Sequence, residues 1–496
     1  MITRRKLFIG LTGLLLALSC ELNAQVSNVA YFMNIPQAHF LNPALKPQTR
    51  FYIGLPVVSG ASVGEQSNFL TTSTLFTPGL KADSIFSFQN PNFDLNKIAA
   101  KLQKRNMIAA EANAQLIGIG FSVGRNYSIM IDVNDRFTAK AVVPKELLNV
   151  YLQGGSAFVN QTIDLSEINT KGQFFREYGV GFSGEILHNL RIGAKVKLIS
   201  GIASLSFDDR KFNLKINSDL SQTVTADATL ETAGREELNK IFNSGGGTQT
   251  SGGFIHNYLG VPLKNPGFGI DFGAVYNLGT MFSFSFSVKD LGFIKWKSDL
   301  QAWTAQGSFT LPGITLADVH NQTFSLDKMY STLSDSIKNN FKQVDSPKPF
   351  TTYLPTDIVA GASITPLKFI TLGILSVSRI YAGSVNEQLT FSANTHVGRV
   401  FSASVAYSIA NSSYNNLGVG IAVTAGFAQI YLIADKIPMV WEKVYIPKGS
   451  GNYSAVPLPQ NFNTLNFQFG VNIVFGKPVT QKTDKPVLQS KDETNQ

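Results

Sequence analysis

The sequence predicts an all-β fold, a transmembrane antiparallel β-barrel of about 14 strands with long external loops. Three observations predict it. Apolar and small polar residues alternate one by one over many segments, the non-apolar positions are mostly Ser, Gly, Asn and Ala, and tight turns alternate with long links. Composition agrees. Of 496 residues, 44% are hydrophobic and 15% charged, which is too little charge for a disordered chain. The 37 Phe, 15 Tyr and 42 Gly favour strands and turns over helices.

The first element is an export signal, residues 1–24. Arg4, Arg5 and Lys6 form a positive start, Leu7 to Leu18 an apolar run, and Leu22-Asn23-Ala24 a cleavage site before Gln25. Cys20, the only cysteine, admits a second reading in which Ala17-Leu18-Ser19 precedes a lipidated Cys. Cleavage after Ala24 leaves no cysteine, and so neither a disulfide nor a thiolate metal site. It also removes three positive residues and Glu21, which brings the formal charge from +9 to +7. That mild charge, with no Lys/Arg block interleaved with aromatics, argues against nucleic acid.

Beyond the signal, no apolar run approaches the ~18–20 residues a spanning helix needs, and the remaining spanning structure is a closed barrel. Phe282-Ser283-Phe284-Ser285-Phe286-Ser287-Val288-Lys289 has every even position apolar and every odd one polar. Phe467, Phe469, Val471, Ile473 and Phe475 share one face, opposite Asn466, Gln468, Gly470 and Asn472. Residues 401–409 and 127–134 alternate likewise. A soluble sandwich also alternates, but its solvent face carries long charged groups, whereas small groups suit a crowded lumen. The lumen-lining candidates are Asp132, Arg136, Lys195, Lys197, Asp271, Lys289, His396, Gln468 and Asn472, each on the polar face of its strand.

The strands fall near 51–58, 115–124, 127–137, 174–187, 190–202, 267–277, 281–296, 357–365, 369–381, 388–397, 400–410, 416–424, 427–435 and 463–475. Gly124-Arg125-Asn126, His188-Asn189, Leu278-Gly279-Thr280, Pro366-Leu367-Lys368, Gly398-Arg399 and Ala425-Gly426 are tight turns. Long links near 60–114, 203–264, 298–355 and 436–462 lie at the other end, and Phe207 to Leu230 reads as an external hairpin or a further spanning pair. Leu95 to Ala114 and Ser325 to Phe341 read as helices. From Lys477 the chain has no apolar period and reads as a periplasmic tail, residues 477–496.

Asn34-Ile35-Pro36-Gln37, Leu41-Asn42-Pro43-Ala44-Leu45, the first strand Phe51 to Pro56 and the Gly-rich run Asn265 to Gly273 resemble a family of Bacteroidota outer-membrane β-barrels of unassigned function. The likeness extends, more distantly, to FadL-like barrels and to the PorV/PorP-type barrels of type IX secretion. The resemblance implies a barrel over residues 51–476 with residues 25–50 as an N-terminal plug segment, in which Asn34, Pro36, Asn42 and Pro43 are the plug candidates. It implies either passage or binding of a small hydrophobic solute, as in FadL-like barrels, or an accessory or scaffold role toward secretion or surface proteins.

Motifs that suggest chemistry have simpler readings. Gly120-Phe121-Ser122-Val123-Gly124 fits a hydrolase nucleophile elbow, but a turn and another strand follow it instead of a helix. Gly179 to Gly184 fits the dinucleotide fingerprint and fails the same test. The five His residues show no metal spacing, and Asp208-Asp209 beside Arg210-Lys211 reads as a solvated turn. Lys195 and Lys197 share a strand face and can meet Asp132 or Asp271, as an internal ion-pair network or an anion-selective constriction. The expectation is a non-enzymatic integral protein of a bacterial outer membrane, with lipid as its surroundings and no cofactor.

Overall fold

The computed structural model describes residues 27–46, 49–69, 71, 76–78, 85–87, 95–236, 238, 264–311, 342–410, 413–449, 452–459 and 464–476. The expected signal, the expected tail from Lys477 and the expected helix at Ser325 to Phe341 lie outside them.

Two-residue alternation produces one antiparallel sheet that closes on itself. In chain order the wall is β1 (Phe51–Gly54, resumed at Ala61–Ser67), β2 (Arg105–Val123), β3 (Tyr127–Pro144), β4 (Asn169–Leu187) and β5 (Leu190–Ile216). It continues with β6 (Asn265–Leu278), β7 (Phe282–Trp296), β8 (Thr356–Leu367), β9 (Ile370–Tyr381) and β10 (Ser384–Val397). β11 (Phe401–Ala410), β12 (Ser413–Ala425), β13 (Ala428–Pro438) and β14 (Thr464–Phe475) complete it. Each strand pairs with the next, and β14 pairs back onto both halves of β1, so the barrel is closed and 14-stranded. Closure leaves no wall strand with an unpaired edge.

All fourteen expected strands are present, and the six tight turns join the pairs they were expected to join. Outward side chains form an apolar band, with Phe286, Leu432 and Val397 about half exposed, while the alternate positions are buried inside. Among the described residues no helix is long and apolar enough to cross a membrane.

The link regions differ from expectation. Leu95 to Ala114 is helical only over Leu95–Lys101, and from Arg105 the chain is strand paired to β3. Its Ala, Glu and Gln favour helix, but a ladder of partners outweighs a propensity of a few tenths of a kcal/mol per residue. Phe207 to Leu230 is an external hairpin, because the upper half of β5 pairs with a strand at Gln222–Ala233. That strand pairs onward with Leu300–Leu311, inside a segment expected to be loop. β5 therefore borders β6 over its lower half and this second strand above, which makes the wall taller on one side. Trp441–Gly449 and Asn452–Pro459 form a separate hairpin.

Candidate functional site

The described N-terminal residues run inside the barrel. Ser27 and Asn28 start a short helix, α1 (Asn28–Tyr31), and both reach the Asp435 carboxylate on β13, Ser27 through Oγ at 2.9 Å and Asn28 through its amide at 3.0 Å. Asn28 Nδ2 donates to Thr390 on β10 at 2.9 Å. Asn34 N donates to Ser402 on β11, and Pro36 opens a 3₁₀ turn, Pro36–Phe40, as its fixed φ allows. Gln37 and Asn472 exchange amide hydrogen bonds of 2.8 and 3.0 Å. Asn42 donates to the carbonyls of Ala274 and Phe286 while accepting from Ala44 N.

Small lumen-facing residues make room for this segment. A Cβ at Gly193 would lie 2.5 Å from the Pro43 backbone, one at Gly373 2.3 Å from the Phe32 ring, and one at Gly420 2.4 Å from Met33 Sδ. Val29, Met33, Ile35 and Leu41 form a buried cluster with Ala406, Ala422, Tyr431 and Ile433 of the wall. Each large side chain fully buried this way contributes about 1.5–3 kcal/mol.

Over and beside the segment lies a layer of ion pairs. Asp132 holds Lys195 at 2.8 Å and His39 at 3.1 Å, and takes Gln115 Nε2 at 3.0 Å. The other His39 nitrogen lies 2.7 Å from the Pro36 carbonyl, so both ring nitrogens face acceptors. Lys197 bridges Asp271 at 2.8 Å and Asp290, and Lys289 reaches Asp357 at 3.2 Å. Arg136 of β3 bonds Asp290 of β7 at 2.8 Å and Glu177 of β4 at 3.1 Å. Arg379 of β9 clamps Asp357 with bonds of 2.6 and 2.8 Å and also bonds Glu111 of β2. Lys140 of β3 bonds Ser384 of β10.

A third feature lies on the outward face of the taller wall, an apolar cavity of about 880 Å³. Its floor is small, with Ala139, Gly172 and Ala203, and Phe137, Leu205 and Trp303 flank it. Beside it Asp135 and Arg176 form a bidentate pair of 2.6 and 2.8 Å, buried although both lie on the outward parity of their strands.

Every expected lumen residue lies on the inner face. Asp132, Lys195, Lys197, Asp271 and Lys289 meet in the ionic layer with Arg136, and Gln468 and Asn472 face the N-terminal segment. His396 is apart, half-buried near the short-turn end and 3.0 Å from Ser402 Oγ. Of the other N-terminal candidates, Pro43 is buried against Gly193. Strict alternation misses Asp290 and Lys436, which occupy left-handed backbone at φ 59° beside register shifts, so that neighbours on one strand both turn inward. It also gives no cue to Gln37 and His39, whose partners Gln115, Asp132 and Asn472 are 78 to 435 residues away in sequence.

The chemical motifs sit in wall strands. Ser122 ends β2, its amide donating to Arg50 O, and the tight turn into β3 follows. Gly179 lies in β4, where a Cβ would meet Lys195 at 2.3 Å. Among the described residues no three His, Cys, Asp or Glu are grouped to hold a metal.

A family model described as "Family of unknown function (DUF5723)" matches residues 43–435. Comparison with curated proteins gives no match. Among solved structures the chain is similar to the Ralstonia pickettii toluene transporter TbuX, at 10% identity, 91% of this chain, 98% of that chain and a TM-score of 0.40. It is also similar to the Pseudomonas putida toluene transporter TodX, at 10% identity, 92% and 100% coverage and a TM-score of 0.36. A Pseudomonas aeruginosa FadL homologue matches at 10% identity, 92% and 100% coverage and a TM-score of 0.37. Scores this low carry no argument about what the barrel handles.

Proposed function

The chain belongs to the DUF5723 family of unknown function, and from that premise we propose that it is an integral outer-membrane barrel that binds a small hydrophobic solute on its outer wall. The observation that carries this reading is the cavity of about 880 Å³ lined by Ala139, Gly172, Ala203, Phe137, Leu205 and Trp303. A pocket of this size and lining suits an apolar body, which gains about 25 cal/mol for each Å² it withdraws from water.

Position supports the reading. Counted from the turn that joins β2 and β3, the floor residue Ala139 stands about twelve residues up, roughly 30 Å along the barrel axis for tilted strands. An apolar band of about 25 Å would end just below it, so the cavity opens near the outer boundary of the bilayer. The N-terminal segment then serves as a plug, and passage of the solute inward requires its displacement.

The test is fluorescence in lipid nanodiscs. Trp303 lines the cavity, Trp296 is fully buried, and an alkylbenzene or a medium-chain fatty acid carrying bromine should quench Trp303 in a saturable way. Trp303→Phe should remove the signal and Ala139→Phe should abolish saturation. Saturable quenching that survives Ala139→Phe unchanged would reject the site.

One observation favours a second reading, an accessory or scaffold barrel for secretion or surface proteins. Ion pairs join facing walls across the lumen, an unexpected arrangement for a conduit. Crosslinking in native membranes should then capture a protein partner, and a repeatedly solitary barrel would reject that alternative.

A further inference from the structure

The ionic layer spans the barrel from wall to wall. β2 and β9 are half the ring apart, yet Glu111 on one bonds Arg379 on the other. β3 and β10 are also half the ring apart, and Lys140 bonds Ser384 between them. Fourteen strands tilted as usual enclose a circle of roughly 28 Å diameter, from ~4.8 Å spacing and ~40° tilt. An extended Glu, an extended Arg and the bond joining them span only about 15 Å between Cα atoms. A round barrel cannot make this contact. At this level the wall is flattened to about half its round width, and charged side chains fill what remains.

A cavity inside the ionic layer is small. The cavity bounded by Phe40, Asn134, Arg136, Lys197, Asp290 and Arg379 measures about 20 Å³. That is room for about one water molecule. The groups around it are mutually paired, acid to base, across β2, β3, β4, β5, β6, β7, β8 and β9. Among the described residues of the N-terminal segment, His39 is the one that reaches a carboxylate of this layer, at Asp132. Glu111–Arg379 joins strands seven apart and Arg136–Asp290 strands four apart, whereas Asp357 pairs with Arg379 and Lys289 on the strands beside it.

We propose that the Glu111–Arg379 and Arg136–Asp290 bridges are a second closure of the lumen, one that holds the barrel pinched whether or not the N-terminal segment is in place. The proposal does not rest on the solute cavity, whose titration can fail while the closure stands. Both closures must open for anything to traverse the lumen. Ions that separate the bridges, or a ligand that binds the widened state better, drive that opening.

The experiment is conductance in planar bilayers combined with crosslinking. The full chain, a variant lacking residues 28–46, and the same deletion with Glu111→Gln, Arg136→Gln and Arg379→Gln are compared, and heat-modifiable electrophoretic mobility reports folding. The deletion alone should show no conductance steps, and the deletion with neutralised bridges should show ohmic steps. Steps of equal size from the deletion alone would overturn the proposal. If the deletion does not fold, Lys140→Cys with Ser384→Cys in the full chain decides the matter, because these positions also face each other across half the ring and both named bridges stay in place. A short bis-methanethiosulfonate reagent, which forms a disulfide with each thiolate and releases sulfinate, should join these two positions as completely as it joins Asp132→Cys with Lys195→Cys. Crosslinking confined to the second pair would overturn the proposal.

Discussion

Replacing Asp132 by Asn tests the buried charge at the centre of the lumen. The carboxylate is fully buried and serves three donors, Lys195 at 2.8 Å, Gln115 at 3.0 Å and His39 at 3.1 Å. Asn keeps the shape and one acceptor but removes the charge. Lys195, only 1% exposed, then keeps no carboxylate within salt-bridge distance among the described residues, and the Phe40 ring lies 4.9 Å away. Removing one partner of a buried ion pair costs about 3–5 kcal/mol, because the remaining charge stays out of water. The cation–π contact with Phe40 is present before and after the substitution, so it offsets none of that. The expected loss is therefore about 3–5 kcal/mol, read from urea unfolding in thin-lipid vesicles by the emission of buried Trp296. Asp132→Asn combined with Lys195→Met should recover much of the loss, since both charges are then gone. A single variant within about 0.5 kcal/mol of the parent, or a double variant whose loss equals both single losses together, would refute the argument.

Other substitutions probe other levels. Gly193→Leu should expel the N-terminal segment, since the Pro43 backbone it meets cannot rotate away; chymotrypsin should then cut after Phe40 faster than in the parent, and an unchanged rate would place the segment elsewhere. Leu432→Arg, about six residues above its turn, should cost about 2–4 kcal/mol if that level is the bilayer centre, and Val397→Arg beside a turn about 0–1 kcal/mol. Equal losses at the two depths would remove the case for a bilayer around the wall. Trp296→Phe should cost about 1–3 kcal/mol, because the indole fills the junction with Phe175, Ile199 and Leu354 and donates to Thr352 at 2.9 Å. A change under 0.5 kcal/mol would show that the junction repacks freely.

The wall was legible because its information is local. A side chain's face follows from odd or even position, and Gly, Asn and Pro mark the turns, so fourteen strands and six turns could be placed from single segments. Parity also put Asp132, Lys195, Lys197, Asp271 and Lys289 inside, and the pairs Lys195–Asp132 and Lys197–Asp271 were within reach of that reading. It failed where the period slips. Asp290 takes a left-handed turn at a bulge and faces inward beside Lys289, so counting by twos assigns it to the lipid face. It also failed where two periods compete. Met107 to Ala114 carries helix-forming residues, yet Glu111 and Asn113 point inward and Ile108 outward along a strand. Partnerships across the lumen, such as Glu111 with Arg379, depend on how the closed ring is squeezed, and no window of sequence contains that.

The seam of the ring lies between β1 and β14, and the N-terminal segment is held by residues on both sides of it: Gln115 on β2, Asn472 on β14, Asp435 on β13. The segment leaves the barrel at the short-turn end, where Arg50 meets Phe475, and the strands that grip it come from both ends of the chain. Its seat is therefore complete only when the last strand arrives, so that closing the ring and sheltering the earliest described residues become one event.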